Sequence, residues 1–324
     1  MPSTPEGCKN LISKLRKDHL SGASELSRKA SLVFIVFSEQ TKSKNSKDYL
    51  DQLSKLGQDL IRSMPDMVPI FNLSNSIITS VENQKSSSVQ GLRELTKTKA
   101  QEFFQNSLTS LDRIGDYGQK WIKDNSTILT LSFSASVLSI FKKAKEKKKN
   151  FKVIVCESRP LMEGRKLVFV LSSWGIKVTL IVDVAMGLFV DKADLILLGA
   201  DGVTEKYFIN KIGSYPLCLC AKERSLPVYL ACEESKFIPE RFRMKLEDTG
   251  GNGKVSEVYE RKLENAKIYN PYFEKVPISL CTKIITEEGV LMPSEIREFF
   301  SKVRISRRFQ KFTRIRLIAP ERQL

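Results

Sequence analysis

The sequence predicts an α/β protein with an N-terminal helical domain over residues 1–120, a Rossmann-like doubly wound parallel sheet over 121–300, and a basic C-terminal tail over 301–324. Three observations predict it. Up to about residue 120, apolar residues recur three and four apart, as in SELSRKASLVFIVFSEQ and YLDQLSKLGQDLIRSM, which is the period of an amphipathic helix. Beyond residue 125, short β-branched runs alternate with helix-length segments. Those runs are apolar throughout rather than alternating, as expected of strands buried on both faces of a parallel sheet.

The helices of the first part are separated by polar breaks at TKSKNSKD and ENQKSSSV and by Pro65 and Pro69. The expected strands are STILTLS (126–132), FKVIVCE (151–157), VTLIVD (178–183), ADLILLGA (193–200) and LPVYLAC (226–232). Between them, SASVLSIFKKAKEKKK, EGRKLVFVLSSWG, AMGLFVDK and SYPLCLCAKERS suit helices. DTGGNGK (248–254) is Gly-rich and polar, and is expected to be an excursion rather than a phosphate loop, because no strand precedes it and no helix follows.

With 324 residues, 41% apolar and 28% charged, the chain can bury a sizeable core and has no disordered or fibrous bias. A net charge of +16 favours acidic partners without choosing among them. Six cysteines lie mostly in apolar runs, there is no CxxC pair, and the one histidine is His19, so neither a disulfide framework nor a zinc site of the usual ligands is expected. MPSTPEGCKN has neither the charged nor the apolar region of a signal peptide, and no run approaches the roughly 18 apolar residues of a membrane span. The expected location is cytoplasmic, away from membranes.

Chemistry is expected where strands end. Asp201 follows the strand LILLGA beside Gly199 and Gly202, where burial and neighbours can tune a carboxyl for proton transfer, although an aspartate after a strand is as often a helix cap. Nine and ten residues later, Asn210 and Lys211 precede Gly213 and together offer an amide, an ammonium and an approachable backbone to a phosphate. In VCESRPLMEGRKL (155–167), Arg159 follows another strand end, near a helix N-terminus opened by Glu163 and Gly164, an arrangement suited to an anion or simply to a surface carboxylate.

The runs CESRPLMEGRKL, VTLIVDVAMGLFVDKADLILLGADGV, NKIGSYPLCLCAKERSLPVYLACEESKF and TEEGVLMPSEI resemble successive signatures of one family. It holds the alpha, beta and delta regulatory subunits of initiation factor two-B, with methylthioribose-phosphate isomerase and ribose bisphosphate isomerase. The likeness covers about residues 125–300, more loosely the helical part, and is closest to the alpha subunit through ESKF and EGVLMPSE. It implies a pocket between the two domains for a phosphorylated sugar or nucleotide, with no cofactor or metal. Asp201 matches the aspartate of the isomerases, Asn210 and Lys211 their phosphate-contacting pair, and Arg159 the arginine of an ETRP-like motif. Ser132 and Ser134 stand in the loop where the isomerases carry a catalytic cysteine.

No thiol occurs between Cys8 and Cys156, and a serine hydroxyl without a base does not replace a thiolate. Cys156 lies within a strand, where burial would raise its pKa. Glu163 takes the place of the glutamine usual in the isomerases and would repel a phosphate. The resemblance thus implies a non-catalytic regulatory subunit that dimerises with itself, assembles with beta- and delta-like partners in a guanine nucleotide exchange complex, and senses the phosphorylated alpha subunit of initiation factor two. Two alternatives are an aldose-ketose isomerase using Asp201 with another acid, and a stand-alone metabolite-binding homologue. The runs FKKAKEKKKNFK (141–152) and FSKVRISRRFQKFTRIRLIAPERQL (300–324) concentrate basic charge, and Ile305, Phe309 and Phe312 recur in the tail at helical spacing. This suits either a packed terminal helix or a contact with nucleic acid or acidic protein.

Overall fold

Helix signals in the first hundred residues are strong enough to set the local structure there. The computed structural model describes residues 4–18, 22–65, 67–84, 88–242, 253–261 and 264–310. Four helices come first: α1 (Glu6–Lys17), α2 (Ala23–Gln40), α3 (Ser46–Ser63) and α4 (Val68–Glu82). Asn45 caps α3 by accepting from the Asp48 amide at 2.9 Å, and Pro69 lies in the first turn of α4, where a missing N–H costs nothing. The long α5 (Val89–Gly118) follows.

Two compact units divide the chain. The first takes the described residues up to Leu108, with Arg241, Phe242 and 302–310; the second takes 109–240 and the described residues from 253 to 301. In the helical unit, Phe34, Phe37, Tyr49, Leu53, Leu56, Leu60, Ile70 and Leu73 form a fully buried core. Its polar members are neutral and paired: Tyr49 donates to Thr96 at 2.8 Å, and Thr96 donates to the Leu92 carbonyl at 2.9 Å. The C-terminal segment belongs to this core. Ile305 and Phe309 are buried, the Phe309 ring lies tilted against Phe71 with centres 5.7 Å apart, and Asn75 holds the backbone of Arg304 and Ser306 at 2.9 Å each. Both residues are packed as expected of a terminal helix, but only Phe309 is helical, in 307–310; Ile305 lies in the irregular segment before it, and Phe312 lies outside the described residues.

The second unit is built on a sheet. Its elements in chain order are β1 (Ser126–Leu131), α6 (Ala135–Glu146), β2 (Phe151–Cys156), α7 (Glu163–Ser173), β3 (Lys177–Ile181), α8 (Met186–Phe189), β4 (Leu195–Gly199), β5 (Gly202–Val203), β6 (Tyr207–Lys211), α9 (Ser214–Glu223), β7 (Val228–Ala231), β8 (Phe273–Pro277), β9 (Lys283–Thr286), β10 (Gly289–Leu291) and α10 (Ile296–Lys302). The main sheet has the order β10-β9-β7-β4-β1-β2-β3, parallel except for β10. Its six parallel strands follow the Rossmann order. Val153 and Val155 are buried on one face of β2 and Ile154 on the other, and β4 repeats this with Leu195 and Leu197 against Ile196, so both faces are covered.

All five expected strands are present, within two residues at either end. Five further strands were not expected: β9 and β10 extend the main sheet, and β5, β6 and β8 make a small antiparallel one. AMGLFVDK is less regular than the helix its length suggested, because a single short α-turn lies between two 3₁₀ turns. Of DTGGNGK, only Gly253 and Lys254 lie within the described residues.

Candidate functional site

Strand order reverses between β1 and β4, and open α/β sheets present ligands with a crevice beyond the carboxyl ends of the strands at such a switch point. Ser132 and Ser134 follow β1, Arg159 follows β2, and Asp201 follows β4, so the sequence-derived candidates on these strands share one end of the sheet. Ser134 is the N-cap of α6, accepting from the Val137 amide at 3.4 Å. Its side chain lies where any Cβ on Gly199 would fall, so glycine there is what lets the ends of β1 and β4 approach.

The loop ends are tied to one another. Ser132 (φ 69°) and Ser158 (φ 68°) are both left-handed, a conformation that non-glycine residues hold only when their surroundings fix it. Here the Ser132 amide donates to Ser158 Oγ at 2.7 Å, Ser158 Oγ donates to the Cys156 carbonyl at 3.0 Å, and Asp183 accepts the amides of Ser158 and Arg159 at 2.7 Å each. Arg159, expected beside a helix N-terminus or a surface carboxylate, is exposed and donates from Nη2 to the Glu257 carbonyl at 2.9 Å.

Asn210 and Lys211 end β6, a strand of the small sheet paired with β8, and their side chains diverge. Asn210 donates to Ser214 Oγ at 2.8 Å, which in turn donates to the Lys211 carbonyl at 2.7 Å and so shapes the turn into α9. Lys211 is buried, with Nζ 3.0 Å from Glu163 Oε1 and 5.0 Å from the centre of the Tyr272 ring. Tyr272 donates its hydroxyl to the Glu257 carboxylate at 2.6 Å, and burial pushes its pKa up to about 12. A continuous chain of contacts thus runs from Arg159 through Glu257 and Tyr272 to Lys211 and Glu163.

Asp201 is held by its backbone, whose amide donates to the Ile209 carbonyl at 2.8 Å. Burial raises its pKa above the usual carboxylate range, against the opposing pull of Lys236 and Lys211. Lys236 is itself buried and donates to the Ala200 carbonyl at 2.7 Å. The sequence supplied Lys236 only as part of the ESKF likeness, not as a charge beside Asp201.

Glu274 was also missed. The turn at Gly213 was read as backbone open to a phosphate, but Glu274 Oε1 already accepts from the Gly213 amide at 2.6 Å and the Tyr215 amide at 2.9 Å. The chain's own carboxylate fills the anion site at the start of α9. Only the pairing of β6 with β8 brings residue 274 there, so no local pattern announces it.

The thiol question has a structural answer too. Cys156 is fully buried in β2 and burial pushes its pKa up to about 12, so it supplies no thiolate near neutral pH.

Fold and site together define a Rossmann-like protein whose switch point gathers a half-buried carboxyl, two buried lysines and a pair of serines. The chain belongs to the Initiation factor 2 subunit family, whose profile matches residues 19–293. A ribose 1,5-bisphosphate isomerase from Methanocaldococcus jannaschii is 30% identical over 287 residues, covering 88% of this chain and 91% of its own length. The crystal structure of the Pyrococcus horikoshii translation initiation factor eIF-2B superposes with a TM-score of 0.73 at 31% identity, over 90% of this chain and 99% of that one. A chain of the tetrameric eIF2B-beta2-delta2 complex from C. thermophilum shares the fold, with a TM-score of 0.75 at 18% identity over 93% and 95% of the two chains. Relatives are thus divided between initiation-factor and isomerase names. Among the described residues, no helix is long and apolar enough to cross a membrane.

Proposed function

We propose that this chain is a regulatory, alpha-like subunit of a cytoplasmic initiation factor 2B exchange complex, and that its switch point holds a phosphorylated sugar or nucleotide without converting it. One observation carries the reading: the loop after β1 offers Ser132 and Ser134 but no thiol, and Ser134 is engaged as a helix cap. Isomerising an aldose phosphate to a ketose moves a proton between neighbouring carbons, work for a base, while protons also exchange between the carbonyl and hydroxyl oxygens, work for a second acid-base group. Asp201, favoured by burial to keep its proton, can play one such part. A second is not supplied by Cys156, whose thiol is held protonated, and a serine hydroxyl needs a base to take the place of a thiolate.

The partners that fit are a second copy of the chain, beta- and delta-like subunits, and initiation factor two with a phosphorylated alpha subunit. Affinity purification of the full chain from native lysate, read by mass spectrometry, tests this. Co-recovery of exchange-complex subunits and initiation factor two is the expected result, and recovery of neither overturns the assignment.

The isomerase reading has its own support in the half-buried Asp201 with Lys211 and Lys236 close by, the surroundings of a tuned acid. Turnover assays separate the two readings.

A further inference from the structure

Lys211 is a cation that the chain's own carboxylate already occupies. Its side chain is 3% exposed while that of Glu163 is 28% exposed, so the pair has a dry end at the ammonium and a wetter end at the carboxylate. Glu163 Oε1 takes the ammonium, but Glu163 Oε2 is buried and accepts no hydrogen bond. A buried acceptor left without a donor is costly, so this carboxylate is held by its charge partner rather than by a full set of hydrogen bonds. The ammonium in turn faces the Tyr272 ring and Glu163, with the Asp201 carboxyl near enough to feel its charge. Glu163 sits in the first turn of α7, an 11-residue helix whose N-cap residue Met162 makes no side-chain cap. Among the described residues, Lys211 is the hydrogen-bond partner of its carboxylate.

We propose that Glu163 is a built-in competitor for the anionic group of the ligand: a phosphate or sulfate ester reaches Lys211 only by displacing Glu163 from it. This rests on the reading that the switch point holds a phosphorylated compound. A competitor tethered on the same chain acts at a high effective concentration, so it lowers the affinity for a dianion without blocking the site. Such a subsite fills only when the metabolite is abundant, which suits a sensor better than a scavenger.

The probe is sulfate, a dianion that does not titrate near neutral pH, added to the purified full chain and read by thermal unfolding and equilibrium titration. Glu163→Gln keeps the shape and an acceptor for Lys211 while removing the charge. It is expected to bind sulfate at least about tenfold more tightly than the unaltered protein, and the double variant Glu163→Gln with Lys211→Met is expected to lose that gain. Equal sulfate midpoints in the unaltered protein and Glu163→Gln would overturn the proposal, as would a gain that survives removal of Lys211. If Glu163→Gln does not fold in sulfate-free buffer, refolding that depends on sulfate supports the proposal and refolding indifferent to sulfate counts against it. Mass spectrometry of small molecules carried through purification tests the ligand reading separately: a sulfate gain with no carried or added sugar phosphate bound would sink that reading and leave the competition intact.

Discussion

The helical unit and the sheet unit bury different things. The buried polar residues described in the helical unit, among them Ser27, Ser31, Ser74, Asn75 and Thr96, are neutral, and Ser27, Ser31, Ser74 and Thr96 donate to nearby carbonyls. The charged residues in the buried class, Lys211, Glu233 and Lys236, all lie in the sheet unit, near the ends of strands. Neutral polar groups can be closed off at little cost, whereas a buried charge must be paired and its removal is felt. The difference teaches that the first unit is organised for packing and the second carries an electrostatic site.

Substitutions can break or sharpen that contrast. In the helical unit the largest effect is expected from the core: Phe309→Ala removes a fully buried ring and should cost about 3–5 kcal/mol, read as a lowered denaturation midpoint. A cost near zero would detach the C-terminal segment from this core. In the sheet unit, Lys211→Met leaves Glu163 without its partner. Breaking a buried pair costs about 3–5 kcal/mol, but the partly wet carboxylate can turn toward water, so about 2–3 kcal/mol is expected in the same measurement.

The units should differ in pH response as well. Burial, with Glu287 and Glu288 beside it, pushes Glu234 from the ordinary 4.5 up to about 7. The folded state therefore binds this proton more tightly than the unfolded one, and its contribution to stability is present at low pH and is lost as pH rises from about 4.5 through about 7. Glu234→Gln should flatten that stretch of the melting-temperature profile by an amount on the order of 1 kcal/mol, given that the group is partly screened by water. An unchanged slope would reject the assignment. The smallest effect is expected at Ser134. Its capping bond is long at 3.4 Å, so Ser134→Ala should cost about 0.5 kcal/mol, and a larger loss would give the hydroxyl another duty.

How much of this was legible follows from the same contrast. The parallel strands announce themselves because a strand buried on both faces is apolar at every position, as in LILLG and FKVIVC. The small sheet does not, because FEKVP is short, largely uncovered and carries two charges. KIIT and GVL are four and three residues long, too short for a period to show. At the site, Asp201, Arg159 and Lys211 could be named because turn glycines and strand ends mark them. Their partners could not. Glu274 reaches α9 only through the β6–β8 pairing, Lys236 reaches Ala200 across 36 residues, and Glu163 reaches Lys211 across 48. Contacts of charged side chains at such separations are a product of topology, and local sequence does not encode them.

The central claim is that the switch point holds a phosphorylated compound and lacks the groups to transform it. Incubating the pure chain with ribose 1,5-bisphosphate and with 5-methylthioribose 1-phosphate, and following ketose formation, tests it most directly. The account predicts no turnover above the buffer background for either compound. A rate on the order of 1 per second or faster, abolished by Asp201→Asn, would contradict it and make the chain an isomerase.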